Sequence, residues 1–374
     1  MENNEEKKVD LTRVFVNNES NKMESFSTEN VKKNNFKKKR FNNKNTIKTN
    51  KNNEENNENV ENDDKNIKLL TDFYQMEDDK TEKQDILKVT NRKANSNLKV
   101  MFLGGVGEIG KNMMVLEYGN DIIVLDCGAT FPSDDMPGID LVVPDITYLK
   151  ANRDKIRGIV LTHGHEDHIG AIPYVMGEIN APIYGSRLAL GLVENKLREF
   201  PKIKAKMISV KPKQVIKLGC FSIEFIHVNH SIPGSLAFAI TTPVGLMVHT
   251  GDFKIDFESM DGKPTDLARF AELGRKGVLL LTCESTNVEK DGYSMSEKKV
   301  AQNLDVLFGK YTDKRILVAS FASNVLRLQQ ILDLAEKHKR RVVFTGRSMQ
   351  NVAETAYKIG ELKFDKNNIL DIDK

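Results

Sequence analysis

The chain has 374 residues, 39% hydrophobic and 29% charged, with 10 Pro and no Trp, and at about 150 residues per domain that is the length of two domains. No run of 18 apolar residues exists, so the sequence predicts no membrane helix, and MENNEEKKVD lacks the apolar centre of a secretory signal. Three scattered cysteines (Cys127, Cys220, Cys283) form no CxxC pair, which argues against a disulfide framework or a thiolate metal site and predicts a cytoplasmic location.

The net charge of +3 hides a segregated N-terminal stretch. Residues 1–97 contain 22 Asn; residues 31–51 carry nine Lys/Arg and no acid, and residues 52–64 carry six acids and no base. Neither block has enough apolar side chains to offset chain entropy by burial, so 1–97 reads as a disordered tail with a short helix near 69–87. The basic block is either an RNA-backbone tether or a plain solvated tail.

From Leu98 the composition becomes that of a folded protein. Leu98–Leu103 reads as a strand, and Met113–Tyr118 with Ile122–Asp126 as a hairpin turning at Gly119-Asn120-Asp121. Between them Gly105-Val-Gly107-Glu-Ile-Gly110 matches G-x-G-x-x-G. A dinucleotide site needs a helix next, whereas MMVLEYG is strand-like, so the glycines read as a tight turn. Asp145–Arg153 reads as helix, Gly158–Thr162 as buried strand, Gly170–Ile179 as helix, Ile183–Tyr184 as strand and Ser186–Phe200 as helix. Strands are then expected at Lys206–Val210, Phe221–His227, Leu236–Thr242, Gly245–Thr250 and Gly277–Leu281. After residue 297 helices at Glu297–Phe308, Asn324–His338 and Met349–Ile359 alternate with strands at Ile316–Ser320 and Arg341–Thr345, the pattern of a small parallel α/β unit.

The strongest chemical signal is Thr162-His163-Gly164-His165-Glu166-Asp167-His168. Three of the seven histidines and an aspartate fall within six residues, directly after the apolar run GIVL. Imidazole and carboxylate suit zinc, manganese or iron, and a strand end holds successive side chains around one point. His230 and Asp252 each follow a strand in the same way, and Asp252 is the candidate to bridge two metals. His227 and His249 are either orienting donors or packed histidines. Two divalent ions would bring the pKa of a bound water towards neutrality and neutralise charge on a phosphoryl group, so the chemistry indicated is hydrolysis.

These residues resemble the metallo-β-lactamase fold, and GGVGEIGKNM, LDCGATFPSDDMPGIDLVVPDITYL, GIVLTHGHEDHIGAIPY, VNHSIPGSLAFAI, HTGDFKID and SFASN together resemble the bacterial ribonuclease J family. The resemblance implies an α/β fold: the N-terminal part of an αββα sandwich at 98–295, and the start of an inserted β-CASP α/β domain at 296–374. It implies 5′→3′ exoribonuclease and endoribonuclease activity in RNA decay and rRNA maturation, with two divalent ions, zinc or manganese. It also implies RNA as substrate, a homodimer or tetramer and partners in an RNA-degradation complex. By motif, His163, His165 and His230 would hold one metal, and Asp167 and His168 the other, with Asp252 between. Asp167 and Glu284 would be the catalytic carboxylates, and Phe321, Ala322, Ser323 and Asn324 a substrate-contacting turn, which also reads as a helix cap. Glu284 stands where the family usually has Asp, and Leu326 where it often has His. The acids of PSDDMPGID are a possible calcium site. The family's later His-Val-Ser-Gly-His-type motif and final metal-binding histidine do not occur before Lys374. The expectation is therefore a C-terminally truncated ribonuclease of reduced or no activity, its second metal short of one ligand. Two other readings fit the metal loop less completely: a (thio)ester hydrolase of the same fold, and a non-catalytic RNA-binding subunit.

Overall fold

The computed structural model describes residues 97–259 and 262–371; the tail readings for 1–96, with their charge blocks and short helix, lie outside the described residues. Eleven strands among the described residues form two sheets. β1 (Lys99–Gly104), β2 (Met113–Tyr118), β3 (Asp121–Leu125), β4 (Ile156–Val160), β5 (Ile183–Gly185) and β6 (Met207–Ser209) lie side by side in that order. β7 (Val215–Leu218), β8 (Phe221–His227), β9 (Leu236–Thr242), β10 (Gly245–His249) and β11 (Leu280–Thr282) form the second sheet, with β7 and β11 at its edges. The first three strands are antiparallel, and β3 to β6 run parallel through helical crossovers.

The alternation of side chains along each strand sets the layers. On β2 and β3, Met114, Leu116, Ile123 and Leu125 meet Phe221, Phe225, Phe238, Ile240 and Met247 of the second sheet. The alternate residues Met113, Val115, Ile122 and Val124 face outward onto helices α3 (Ile172–Ile179) and α4 (Arg187–Leu197), which follow α1 (Thr147–Ala151) and α2 (Glu166–Ile169) in the chain. On the far side Ile226, Ala237, Ala239 and Val248 are covered by Leu273 and Phe270 of α5 (Leu267–Lys276). The result is helix, sheet, sheet, helix, the expected sandwich. The sequence reading passed over β7 and α5. Yet α5 carries a legible signal: a cap by Asp266, whose carboxylate accepts from Arg269 N–H, and Leu267, Phe270 and Leu273 on one face.

α6 (Glu297–Lys310), α7 (Val325–Lys337) and α8 (Arg347–Ile359) follow. Val325, Leu328, Leu332, Val352 and Ala356 join the core that α3 and α4 cover. Gly191 on α4 allows close approach of α8, since a Cβ there would stand 2.7 Å from the Ile359 Cδ1 atom. Beside it Asn195 Nδ2 donates to Thr355 Oγ1 at 2.5 Å.

The strands expected at 316–320 and 341–345 are not formed. Val342 makes an isolated parallel bridge to Ile369, and 316–320 has no ladder partner among the described residues, leaving Leu317 97% exposed. A strand requires a neighbour for its N–H and C=O groups, and an apolar run reads the same whether or not that neighbour is there. The G-x-G-x-x-G segment is the turn expected, with Gly105, Gly107 and Gly110 at φ 86, 72 and 102 and β2 following.

Candidate metal centre

β4 ends at Val160, and the chain then turns through His163 to His165 and enters α2 at Glu166, so the ligand-rich segment is half loop and half helix rather than a simple loop. Its backbone is clamped by the segment after β3 and by Asn112, just before β2. Cys127 N–H donates to His168 O at 2.8 Å, Ala129 N–H to Glu166 O at 3.2 Å, and Asn112 N–H to Asp167 O at 3.0 Å. Gly128 makes this approach possible, because a Cβ there would lie 1.6 Å from the Asp167 carbonyl oxygen.

Three imidazole nitrogens converge. His163 Nε2 and His165 Nδ1 are 3.0 Å apart, and His230 Nε2 is 3.2 Å from His165 Nδ1. The outer nitrogens are held separately. Thr162 Oγ1 donates to Asp126 Oδ2 at 2.8 Å and so accepts from His163 Nδ1 at 3.0 Å, while Ser231 Oγ pairs with His165 Nε2 at 3.2 Å. The Thr162–Asp126 bond leaves His163 Nε2 with a bare lone pair, and a Ser231 hydroxyl accepting from His165 Nε2 leaves His165 Nδ1 bare as well. Two lone pairs facing each other at this distance are unfavourable alone and are the donor set a cation requires. Burial, with crowding by His168, His165 and His230, pushes His163 well below its usual pKa of 6.5. Burial and His230 push His165 to about 4, and burial lowers His230 as well, so all three are neutral ligands at neutral pH.

The second cluster is carboxylate-rich. His168 Nε2 lies 3.4 Å from Asp252 Oδ1 and 3.5 Å from Asp167 Oδ2. Burial opposes a charge on His168, but Asp126, Asp167 and Asp252 outweigh it and raise its pKa well above 6.5. Asp252 is lowered to about 2: burial raises it, and His168 more than offsets that. Its two oxygens face different ways. Oδ1 is the atom beside His168, whereas Oδ2 lies 4.0 Å from His163 Nε2 and 3.9 Å from His230 Nε2. His163, His165 and His230 thus form one potential metal-holding group, and His163, His168 and Asp252 a second that overlaps it.

Two residues absent from the sequence reading of the site belong to it. Asp126, 2% exposed and at φ 60, accepts from Thr162 N–H at 2.7 Å and pairs with His168 Nδ1 at 2.8 Å, which directs His168 Nε2 inward. Asn112 Nδ2 donates to the backbone and carboxylate oxygens of Asp167 at 3.1 and 3.2 Å. A buried acid at a strand end was the available signal for Asp126; nothing in the spacing marks Asn112.

The remaining predicted residues lie around this centre. Glu284 accepts from Phe253 N–H at 3.0 Å and from Thr286 N–H at 3.3 Å, so it grips the backbone next to Asp252 rather than entering the imidazole ring. Asn324 caps α7 by accepting from Arg327 N–H at 3.1 Å, and Leu326 N–H donates to Ser231 O at 3.4 Å, which brings the turn 321–324 beside the His230 loop. Phe321 is 84% exposed, Ala322 packs on the core, and Ser323 O accepts from Val325 N–H at 2.9 Å. His249 pairs with Thr282 Oγ1 at 2.9 Å, and His227 Nε2 with Lys263 O at 3.0 Å, both outside the cluster. The acids of PSDDMPGID are exposed and do not converge into a donor set among the described residues.

Comparison with known proteins matches residues 106–303 to the metallo-beta-lactamase superfamily and residues 313–374 to "Ribonuclease J, beta-CASP domain". The chain is 48% identical over 273 residues to ribonuclease J of Synechocystis sp., covering 72% of this chain and 42% of that protein. It is 45% identical over 280 residues to the ribonuclease J of Mycolicibacterium smegmatis, covering 75% and 50%. The chain therefore spans about half the length of these relatives or less. Among solved structures, a protein of unknown function from Enterococcus faecalis superposes with a TM-score of 0.55 at 19% identity over 74% of each chain, a likeness of fold alone.

Proposed function

The chain belongs to the metallo-β-lactamase superfamily, in its β-CASP ribonuclease J branch, and from that premise we propose that it is a metal-dependent ribonuclease hydrolysing RNA phosphodiesters. The observation that carries this reading is Asp252, with one oxygen turned to the three-histidine cluster and the other to His168. Such a carboxylate suits a two-metal hydrolytic site.

On this reading His163, His165 and His230 would hold the first ion and His168 and Asp167 the second, with Asp252 shared between them. Zinc is the better match to the three-imidazole set, with manganese the alternative at the carboxylate-rich set. When bound, the pair of ions supplies Lewis acidity at a phosphoryl oxygen and activates water. The chain's own residues prepare the site: Asp126 and Thr162 orient His168 and His163, Ser231 orients His165, and Asn112 holds the Asp167 carboxylate. Glu284 acts as a positioning residue through Phe253 N–H, and the 321–324 turn, with its exposed Phe321, offers a stacking face for a base. The activity is 5′→3′ exonucleolytic and endonucleolytic, in cytoplasmic RNA decay and rRNA maturation, by a homodimer or tetramer.

The test is cleavage of 5′-monophosphorylated single-stranded RNA by the purified chain with zinc or manganese, beside Asp252→Asn and His163→Ala. Metal-dependent cleavage that both substitutions reduce to background is expected. Undiminished cleavage by Asp252→Asn, or turnover of a thioester but not of RNA by the parent chain, would overturn the reading.

A further inference from the structure

We propose that the segment running from the last turn of α4 into β6 is a second contact surface for single-stranded RNA, outside the metal centre; this rests on the ribonuclease reading above. Arg198, Lys202, Lys204 and Lys206 are all exposed; Arg198 is near enough to Glu354 to help lower its pKa, and the three lysines are the proposed contacts. Their arrangement follows from the local sequence. Lys202, Lys204 and Lys206 alternate with Ile203, Ala205 and Met207, and the three apolar residues pack on the core under α4. Period-two alternation puts the three ammonium groups on the solvent side, roughly 6.6 Å apart for each two residues of extended chain.

The cations border an open groove of about 540 Å³ lined by Leu197, Pro201, Ile203 and Met207 with Arg198, Lys204 and Lys206, and by one acid, Glu194, at its α4 side. An apolar floor whose rim carries three cations and one acid suits a nucleobase laid on the floor and phosphates along the lysine side, away from Glu194. The groove is mechanically joined to the metal centre. Lys196, on the same turn of α4, donates to Glu166 at 2.5 Å, and Glu166 stands in the chain between the ligands His165 and Asp167. Lysines beside an edge strand also discourage pairing with another chain, so the test has to separate RNA contact from edge protection.

The experiment uses the full chain in chelator, which prevents cleavage, and a fluorescein-labelled unstructured RNA read by anisotropy across a salt series. The parent is compared with a triple Lys202→Gln, Lys204→Gln, Lys206→Gln variant and with the same three positions changed to Arg. Each phosphate contact on a single strand contributes about 0.7 to the slope of log affinity against log salt, so the Gln variant is expected to lose about 2 from the slope. That corresponds to roughly 100-fold weaker binding at 0.1 M salt if the two proteins bind equally at 1 M. The Arg variant is expected to retain the parent slope, and size-exclusion profiles to coincide.

An unchanged slope in the Gln variant overturns the proposal, and so does an equal loss in the Arg variant. A Gln variant that self-associates with its RNA slope intact assigns the lysines to edge protection and also overturns it. In either case a parent that still cuts RNA leaves the ribonuclease reading standing. A parent that neither binds nor cuts RNA overturns both.

Discussion

Asp126 shows how one buried side chain governs a site it does not enter. Its two oxygens take Thr162 N–H, Thr162 Oγ1 and His168 Nδ1, so it fixes the orientation of two ligating histidines at once. Asn can occupy its left-handed backbone conformation, so Asp126→Asn tests the charge with little backbone penalty. The expected result is a second metal bound about 10–100-fold more weakly through His168, and the first weakened by a smaller factor through Thr162 and His163. Chelator competition would measure this, and a variant with the parent's affinity at the second site would contradict it.

The histidines also predict an acid response. In the metal-free chain burial lowers His163, His165, His230 and His249, while His168 alone is raised because the acids around it outweigh burial. A depressed histidine contributes stability above about 6.5 that is lost as pH falls towards its folded value. His168 contributes in the opposite sense, below about 6.5, and loses that contribution as pH rises through its raised value. Asp167 and Asp252, both lowered, add to the loss in acid. Four histidines against one give a melting temperature in chelator that falls from about pH 7 to about pH 4. A rising melting temperature over that range would count against the described protonation states.

Among the elements, α2 is the one the rest of the site depends on. At four residues it is too short to be stable alone and is held by Cys127, Ala129 and Asn112 through backbone hydrogen bonds. Gly128→Ala drives a Cβ into the Asp167 carbonyl, where backbone meets backbone and neither side chain can yield. The expected cost is at least about 3 kcal/mol, with weakened metal binding. Urea denaturation would read it, and a variant within about 1 kcal/mol of the parent would contradict the packing described.

The same element marks the limit of what the sequence conveys. His163, His165 and His168 were legible because they lie within six residues after a strand. Asp126 and Asn112 reach His168 across 42 and 56 positions, and only the docking of α2 against the two ends of the β2–β3 hairpin joins them. Strands β8 and β9 were read to the residue, since Phe221–His227 and Leu236–Thr242 are buried runs ending in polar loops. Residues 316–320 misled because β-propensity reports a side chain's suitability for a sheet and carries no information on whether a neighbouring strand is present.

At the scale of the whole molecule, the two sheets bring together the candidate metal-holding residues from distant parts of the chain. The loop after β4 supplies His163 and His165, α2 supplies Asp167 and His168, the loop after β8 supplies His230, and the loop after β10 supplies Asp252. Glu297 at the start of α6 then ties the Asp252 loop to α7. It accepts from Lys254 Nζ at 3.4 Å and from Arg327 Nη2 at 2.7 Å, while its own N–H donates to Asp256 at 2.9 Å. The α6–α7 unit is thereby fixed to the metal centre from which it would present RNA. On the proposed reading the first position would have three imidazoles and a shared carboxylate, and the second would have His168, Asp167 and the same carboxylate.

The most direct test of a carboxylate-bridged pair of metals is anomalous X-ray scattering from crystals of the chain grown with zinc or manganese. The account predicts two anomalous peaks about 3.5–4 Å apart on either side of the Asp252 carboxylate, the one beside His163, His165 and His230 filling first. A single peak at saturating metal, or two peaks that do not share Asp252, would contradict it.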